Sequence, residues 1–218
     1  MKNNAKKNKK KVYVGLSVDI LHKGHINILK KANKFGDVIV GLLTDKAIAS
    51  YKKLPHLNYN QRELVLRNIR YVKRVIPQDT RSYKNNLIKI KPDFVVHEDN
   101  QWKKGIQKNV RLEIKKLLRG WSGKLIEIKS SKIFNEKEIE KNELRIGSSP
   151  QERVSKLKRL MDSKSIVRIL ESHNALTGLI IETLKIKRKK TFDEFDGMWS
   201  SSLADSATRG KPDNQSVD

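Results

Sequence analysis

The chain has 218 residues, no cysteine, and 48 Lys and Arg against 24 Asp and Glu, a formal net charge of +24. That length suits one ordinary domain plus a smaller piece, and the missing cysteines exclude a disulfide framework and a thiolate metal site. The positive excess points to anionic ligands such as nucleotides, nucleic acid or an acidic membrane face.

The lysine-rich residues 1–10 read as a solvated, disordered tail rather than a dedicated RNA-binding arm. The apolar run 12–16 reads as a first strand. Asp19 and His22 break the apolar character of the next residues, so the run is no secretory segment. No stretch approaches the roughly 20 apolar residues that a membrane span needs, so a cytoplasmic protein without a membrane partner is expected. Residues 26–35 are amphipathic and helical. Residues 38–43 form a continuous apolar run, as in a buried parallel strand. Residues 46–53 read as a basic loop. Residues 61–71 read as a helix with Leu64, Leu66 and Ile69 inward, and 72–76 as a strand that Pro77 ends. A helix over 83–90, a strand over 94–97, a helix over 105–118 and a strand over 125–128 complete the alternation. This pattern predicts an α/β fold: a Rossmann-like parallel sheet covered on both faces, in an order such as 3-2-1-4-5. The first domain then covers 11–143. Residues 135–143 are polar and helical, residues 147–150 break the chain, and 151–161 have the spacing of a connector helix, giving a linker over 144–164 and a further segment over 165–218.

The most telling run is Ser17-Val18-Asp19-Ile20-Leu21-His22-Lys23-Gly24-His25, between the first strand and the first helix. A helix N-terminus presents unpaired N–H groups and a positive partial charge, so an anion sits there readily. Two imidazoles one turn apart add donors that can follow charge building on a phosphoryl group. Gly24 leaves room for a phosphate to approach the backbone. By itself the pattern also fits a helix cap with two surface histidines.

These residues resemble the cytidylyltransferase family, which includes glycerol-3-phosphate cytidylyltransferases and carries G-T-F-D-x-x-H-x-G-H. Here the run is Gly15-Leu16-Ser17-Val18-Asp19-Ile20-Leu21-His22-Lys23-Gly24-His25, with Ser17 for Thr and Val18 for Phe. The resemblance implies a nucleotidyltransferase that joins CMP from CTP to a phosphonate or phosphate monoester, with Mg²⁺ arriving on CTP and a homodimer as a possible assembly. His22, His25 and Lys53 (preferred over Lys52) would be catalytic. Gly15, Ser17, Asp19, Gly24, Asp99 and Trp102 would bind nucleotide, the last two in a variant of the family's G-D-D-W with Glu98 for Gly and one extra residue. Ser130 and Ser131 would be what remains of a second phosphate signature, R-T-E-G-I-S-T-T. Arg145–Ser149 is a competing candidate for that role. Arg62 would hold the acceptor's phosphate or phosphonate in a bidentate fork.

From residue 165 a second resemblance enters, to phosphoenolpyruvate mutase. Residues 166–178 resemble its first strand and turn, and 195–203 its second strand and W-x-S-x-L loop. Trp199, Ser201 and Leu203 would border substrate, and Asp213 would match a catalytic aspartate. That family is a β/α barrel of roughly 250 residues, of which two strands are present here, so no mutase turnover is expected from this chain alone. The whole reads as a phosphonate-biosynthesis fusion with a shortened mutase half, or a split reading frame. The alternatives are a non-catalytic fragment that binds nucleotide or complements a separate mutase remainder, and a nucleic-acid binder. Aromatics are only 6% of the chain, which leaves base stacking little to work with and makes nucleic acid the weakest of these.

Overall fold

The computed structural model describes residues 9–51, 53–98, 106–129, 150–187 and 192–212. The chain divides into two compact units, 1–150 and 151–218. The division falls inside the stretch read as a linker.

In the first unit the elements are β1 (Lys11–Leu16), α1 (Lys23–Ala32), β2 (Asp37–Leu43), α2 (Asp45–Ala49), α3 (Tyr59–Arg67), β3 (Arg74–Gln78), α4 (Lys84–Ile90), β4 (Phe94–Glu98), α5 (Ile106–Arg119) and β5 (Lys124–Ile128). The five strands form one parallel sheet in the order β3-β2-β1-β4-β5, as the alternation predicts. Successive residues of β1 bury opposite faces. Val12 and Val14 join Ile28, Leu29, Val40 and Leu66 in one core, which α1 and α3 cover. Tyr13 joins Tyr83, Leu87, Val95, Ile114 and Leu118 in the other, which α4 and α5 cover. With both faces dry, the central strands carry the near-continuous apolar runs seen in the sequence.

Three local expectations are corrected. Helix α3 starts two residues early, where Asn58 caps it by accepting from the Gln61 backbone N–H at 3.0 Å, and it ends at Arg67. Its buried positions are Arg62 and Leu66, one turn apart. Leu64 lies on the far side of the same helix and is 65% exposed. Strand β3 runs through Pro77, paired with Leu42, instead of stopping before it. It is an edge strand among the described residues, and an edge tolerates a residue without an N–H. Residues 46–53 are not wholly loop: Thr44 accepts from the Ala47 backbone N–H at 3.2 Å and starts the short helix α2, whose Ala47 and Ile48 pack beside Leu43.

The second unit contains α6 (Pro150–Ser163), β6 (Ile169–Ser172), α7 (Ala175–Thr183), β7 (Ile186–Lys187), β8 (Phe192–Asp193), β9 (Gly197–Ser200) and α8 (Ser202–Thr208). Strands β6 and β9 pair in parallel, with α7 in the crossover between them. Asn174 caps α7 through the Thr177 backbone N–H at 2.9 Å, and Ser201 caps α8 through that of Ala204 at 3.2 Å. Lys164 pairs with Asp196, which also accepts from the Arg168 backbone N–H. Trp199 and Leu203 are 66% and 64% exposed. Asp213 lies outside the described residues. No helix among the described residues is long and apolar enough to cross a membrane.

Candidate functional site

A cleft opens at the carboxyl ends of the parallel strands. Its lining includes Gly15 and Leu16 from β1, Leu43 from β2, Gln78 from β3, and His97 and Glu98 from β4, together with His22 and His25. Strands β1 and β4 flank the point where the chain reverses its direction of sheet building, and ligands of open α/β sheets bind at that point.

The histidines straddle the start of α1. His22 is the N-cap of α1 and His25 its third residue, so the two side chains are one turn apart on one face. Their rings stack, with centroids 3.7 Å apart and planes 29° apart. The Gly24 backbone N–H donates to His22 Nδ1 at 3.1 Å, and the His22 backbone N–H reaches His25 Nδ1 at 3.4 Å. A ring nitrogen that accepts from a backbone N–H carries no proton, so in each neutral ring the proton resides on Nε2. The helix start thereby fixes two N–H donors side by side. The turn leading to them is strained: Val18 is buried yet holds φ at 39°, a region costly for a β-branched residue.

The other predicted site residues distribute unevenly. Gly15 and Ser17 line the cleft with the histidines. A side chain at Gly15 would collide with the Tyr83 hydroxyl, which approaches the Gly15 carbonyl at 3.4 Å. Gly24 is buried within the first turn of α1. Asp19 accepts from the Leu57 backbone N–H at 3.2 Å, holding the β1–α1 turn to the approach of α3. Lys53 is exposed in the segment between α2 and α3 and is not part of the cleft lining. Asp99, Trp102, Ser130 and Ser131 lie outside the described residues.

Arg62 is placed differently from a ligand-gripping fork. It is 0% exposed. Its Nε donates to the Leu57 carbonyl at 3.1 Å and Nη1 to the carbonyls of Ser17 and Leu43 at 2.6 and 2.9 Å, while Nη2 pairs with Asp45 at 2.7 Å. Four of its five donors are spent inside the protein. The residue laces together the β1–α1 turn, the end of β2, α2 and the start of α3.

Sequence reasoning does not assign Tyr51, Gln78, Arg81, Tyr83, His97 or Glu98, all of which line the cleft. The signal available is position: each lies at or beyond the carboxyl end of a strand, or beside one that does. Burial pushes His97 down to about pKa 3, with the nearby Glu127 carboxylate pulling weakly the other way. Its Nδ1 donates to the Glu98 carbonyl at 2.8 Å. Between about pH 6.5 and 3 the unfolded chain takes up a proton that the folded chain refuses, so this group removes stability as pH falls through that window. Urea unfolding of wild type and His97→Gln at pH 7 and pH 4 checks this. The variant is expected to lose less stability on acidification, and an identical loss would show that His97 does not contribute.

Comparison with known proteins bears on the same half of the chain. The family model described as cytidylyltransferase-like matches residues 13–133, more than half of the chain. A glycerol-3-phosphate cytidylyltransferase of Bacillus subtilis is 40% identical over 70 residues, 32% of this chain and 54% of that protein. An FAD synthase of Archaeoglobus fulgidus is 32% identical over 91 residues, 39% of this chain and 66% of that protein. The chain thus spans between about half and two thirds of the length of these curated relatives. A solved lipopolysaccharide core biosynthesis protein from Thermoplasma volcanium superposes with a TM-score of 0.49 at 27% identity, over 56% of this chain and 98% of that one.

Proposed function

We propose that this chain, which belongs to the cytidylyltransferase-like family, transfers CMP from CTP to a phosphate or phosphonate monoester and releases pyrophosphate. The observation that carries the reading is the stacked pair His22–His25 at the N-terminus of α1, inside the cleft at the switch point of the sheet. An oxygen of the acceptor's phosphate or phosphonate attacks the α-phosphorus of CTP. A P–O bond forms as the bond to the β-phosphate breaks, and the electron pair leaves with pyrophosphate. An ionised acceptor oxygen has no proton to lose, so the step needs no general base. It needs alignment, and donors where negative charge grows. The Nε2–H groups of His22 and His25 supply those donors, and the first N–H groups of α1 add their field.

In this reading Gly15, Ser17 and Gly24 shape the floor under the phosphates, and Lys53, Asp99, Trp102, Ser130 and Ser131 complete the nucleotide site by resemblance to the family. Mg²⁺ would ride with CTP. Among the described residues no cluster of His, Asp and Glu stands ready to cage a metal ion. A cytoplasmic setting fits a reaction that draws on nucleoside triphosphates. The likeness to both a glycerol-3-phosphate cytidylyltransferase and an FAD synthase makes ATP the nucleotide to test against CTP. Titration calorimetry with each is expected to show CTP binding the more tightly. Tighter ATP binding would move the reading to adenylyl transfer, and binding of neither would end it.

For the second unit the reading remains a segment similar to the start of a phosphoenolpyruvate mutase. Its support is the parallel pair β6–β9 with α7 in the crossover, the repeating unit of a β/α barrel. Two strands leave β/α faces such as those of Leu176, Leu179 and Trp199 uncovered, so the chain by itself is expected to give no turnover of phosphonopyruvate. Formation of phosphoenolpyruvate by the purified chain would contradict that.

A further inference from the structure

We propose that Arg81, not Arg62, grips the negative charge of the acceptor, and that the acceptor site lies on the β2–β3 side of the cleft. The inference rests on the nucleotidyl-transfer reading and adds to it the residue and the side. Arg81 stands in the loop after β3, half-buried, in the lining of the same cleft as His22 and His25. Its guanidinium lies over the Tyr51 ring, 4.3 Å from the centroid. Stacking on a ring fixes the plane of the fork and leaves its in-plane N–H donors uncommitted. No described carboxylate forms an ion pair with it, whereas Arg62, Arg67 and Arg111 are paired with Asp45, Glu63 and Glu127.

The two walls of the cleft differ in charge. Tyr51, Gln78 and Arg81 come from the β2–β3 side, while the β4 side presents neutral His97 and the acidic Glu98. An anionic group is repelled by Glu98 and drawn to Arg81. The neutral hydroxyls of a nucleoside suit the wall with Glu98, which can accept hydrogen bonds from them. With the triphosphate held centrally by the histidines, the free wall for a second anion is the one with Arg81. A planar fork beside a planar ring selects a phosphate, phosphonate or carboxylate group over a neutral alcohol.

The experiment compares wild type, Arg81→Gln and Arg81→Lys. Glycerol 3-phosphate and inorganic phosphate are titrated without nucleotide, and CTP is titrated separately. Loss of a charge-assisted fork is expected to weaken both phosphate probes about 10- to 100-fold in Arg81→Gln, with Arg81→Lys in between and CTP affinity within about twofold of wild type. Phosphate probes that bind all three proteins alike, or none of them, overturn the assignment even where CTP binding is intact. An equal fall in CTP affinity overturns it too, by placing Arg81 on the triphosphate. Wild type that binds phosphate through Arg81 but binds neither CTP nor ATP keeps this inference and sinks nucleotidyl transfer instead.

Discussion

Replacing His25 with alanine is expected to lower kcat for nucleotidyl transfer about 10²- to 10³-fold, the usual cost of removing one preorganised donor to a developing negative charge. The thermal midpoint should stay close to that of wild type. The structure separates the two histidines in this respect. His22 Nδ1 holds the Gly24 backbone N–H at 3.1 Å as the N-cap of α1, whereas His25 Nδ1 accepts from the His22 backbone N–H at a longer 3.4 Å. His22→Ala therefore removes a donor and a cap together and should also cost about 1 kcal/mol of stability. The two losses of activity should not add, because the stacked rings act on the same phosphoryl group. CTP affinity should change little in His25→Ala, since the donors matter most when charge has moved. A variant with wild-type kcat, or one whose whole defect is in CTP binding, would remove His25 from the transition state.

Arg62→Met should destabilise the first unit by about 3–5 kcal/mol, because it breaks a buried ion pair from one side. Asp45, with 17% of its side chain exposed, loses the guanidinium, and the carbonyls of Ser17, Leu43 and Leu57 lose a common donor. Urea unfolding measures the loss directly. Near-wild-type stability combined with a large rise in acceptor KM would return Arg62 to the ligand-binding role that its place in the family pattern implies.

The contrast between Arg62 and Arg81 shows what a sequence can and cannot carry. Strand order is legible because β-branched runs alternate with amphipathic ones, and parallel crossovers leave few topologies. The histidine pair is legible because capping and helical spacing are local rules. Whether an arginine faces solvent, ligand or three backbone carbonyls depends on where distant segments converge. Ser17, Leu43 and Asp45 lie 45, 19 and 17 residues away from Arg62. Arg81 gives no periodic signal, being a loop residue whose partner ring, Tyr51, arrives from the end of α2. Helix α2 is hard to read because Lys46 and the lysines that follow the helix suggest a solvated loop, while the Thr44 cap and the apolar Ala47–Ile48 pair are short signals. Leu64 reads as inward only when the buried face is anchored on leucines instead of on Arg62, although Leu64 and Leu66, two residues apart, point to opposite sides of a helix.

The central claim is that this cleft breaks the bond between the α- and β-phosphates of a nucleoside triphosphate and hands the nucleotidyl group to a phosphate-bearing acceptor. Its most direct test is to incubate the purified chain with CTP and glycerol 3-phosphate or a simple phosphonate, and to quantify pyrophosphate against nucleotidylated product. One pyrophosphate per product, lost in His25→Ala, is the predicted result. Release of inorganic phosphate in place of pyrophosphate, or no product with CTP or ATP across the acceptors, would contradict it.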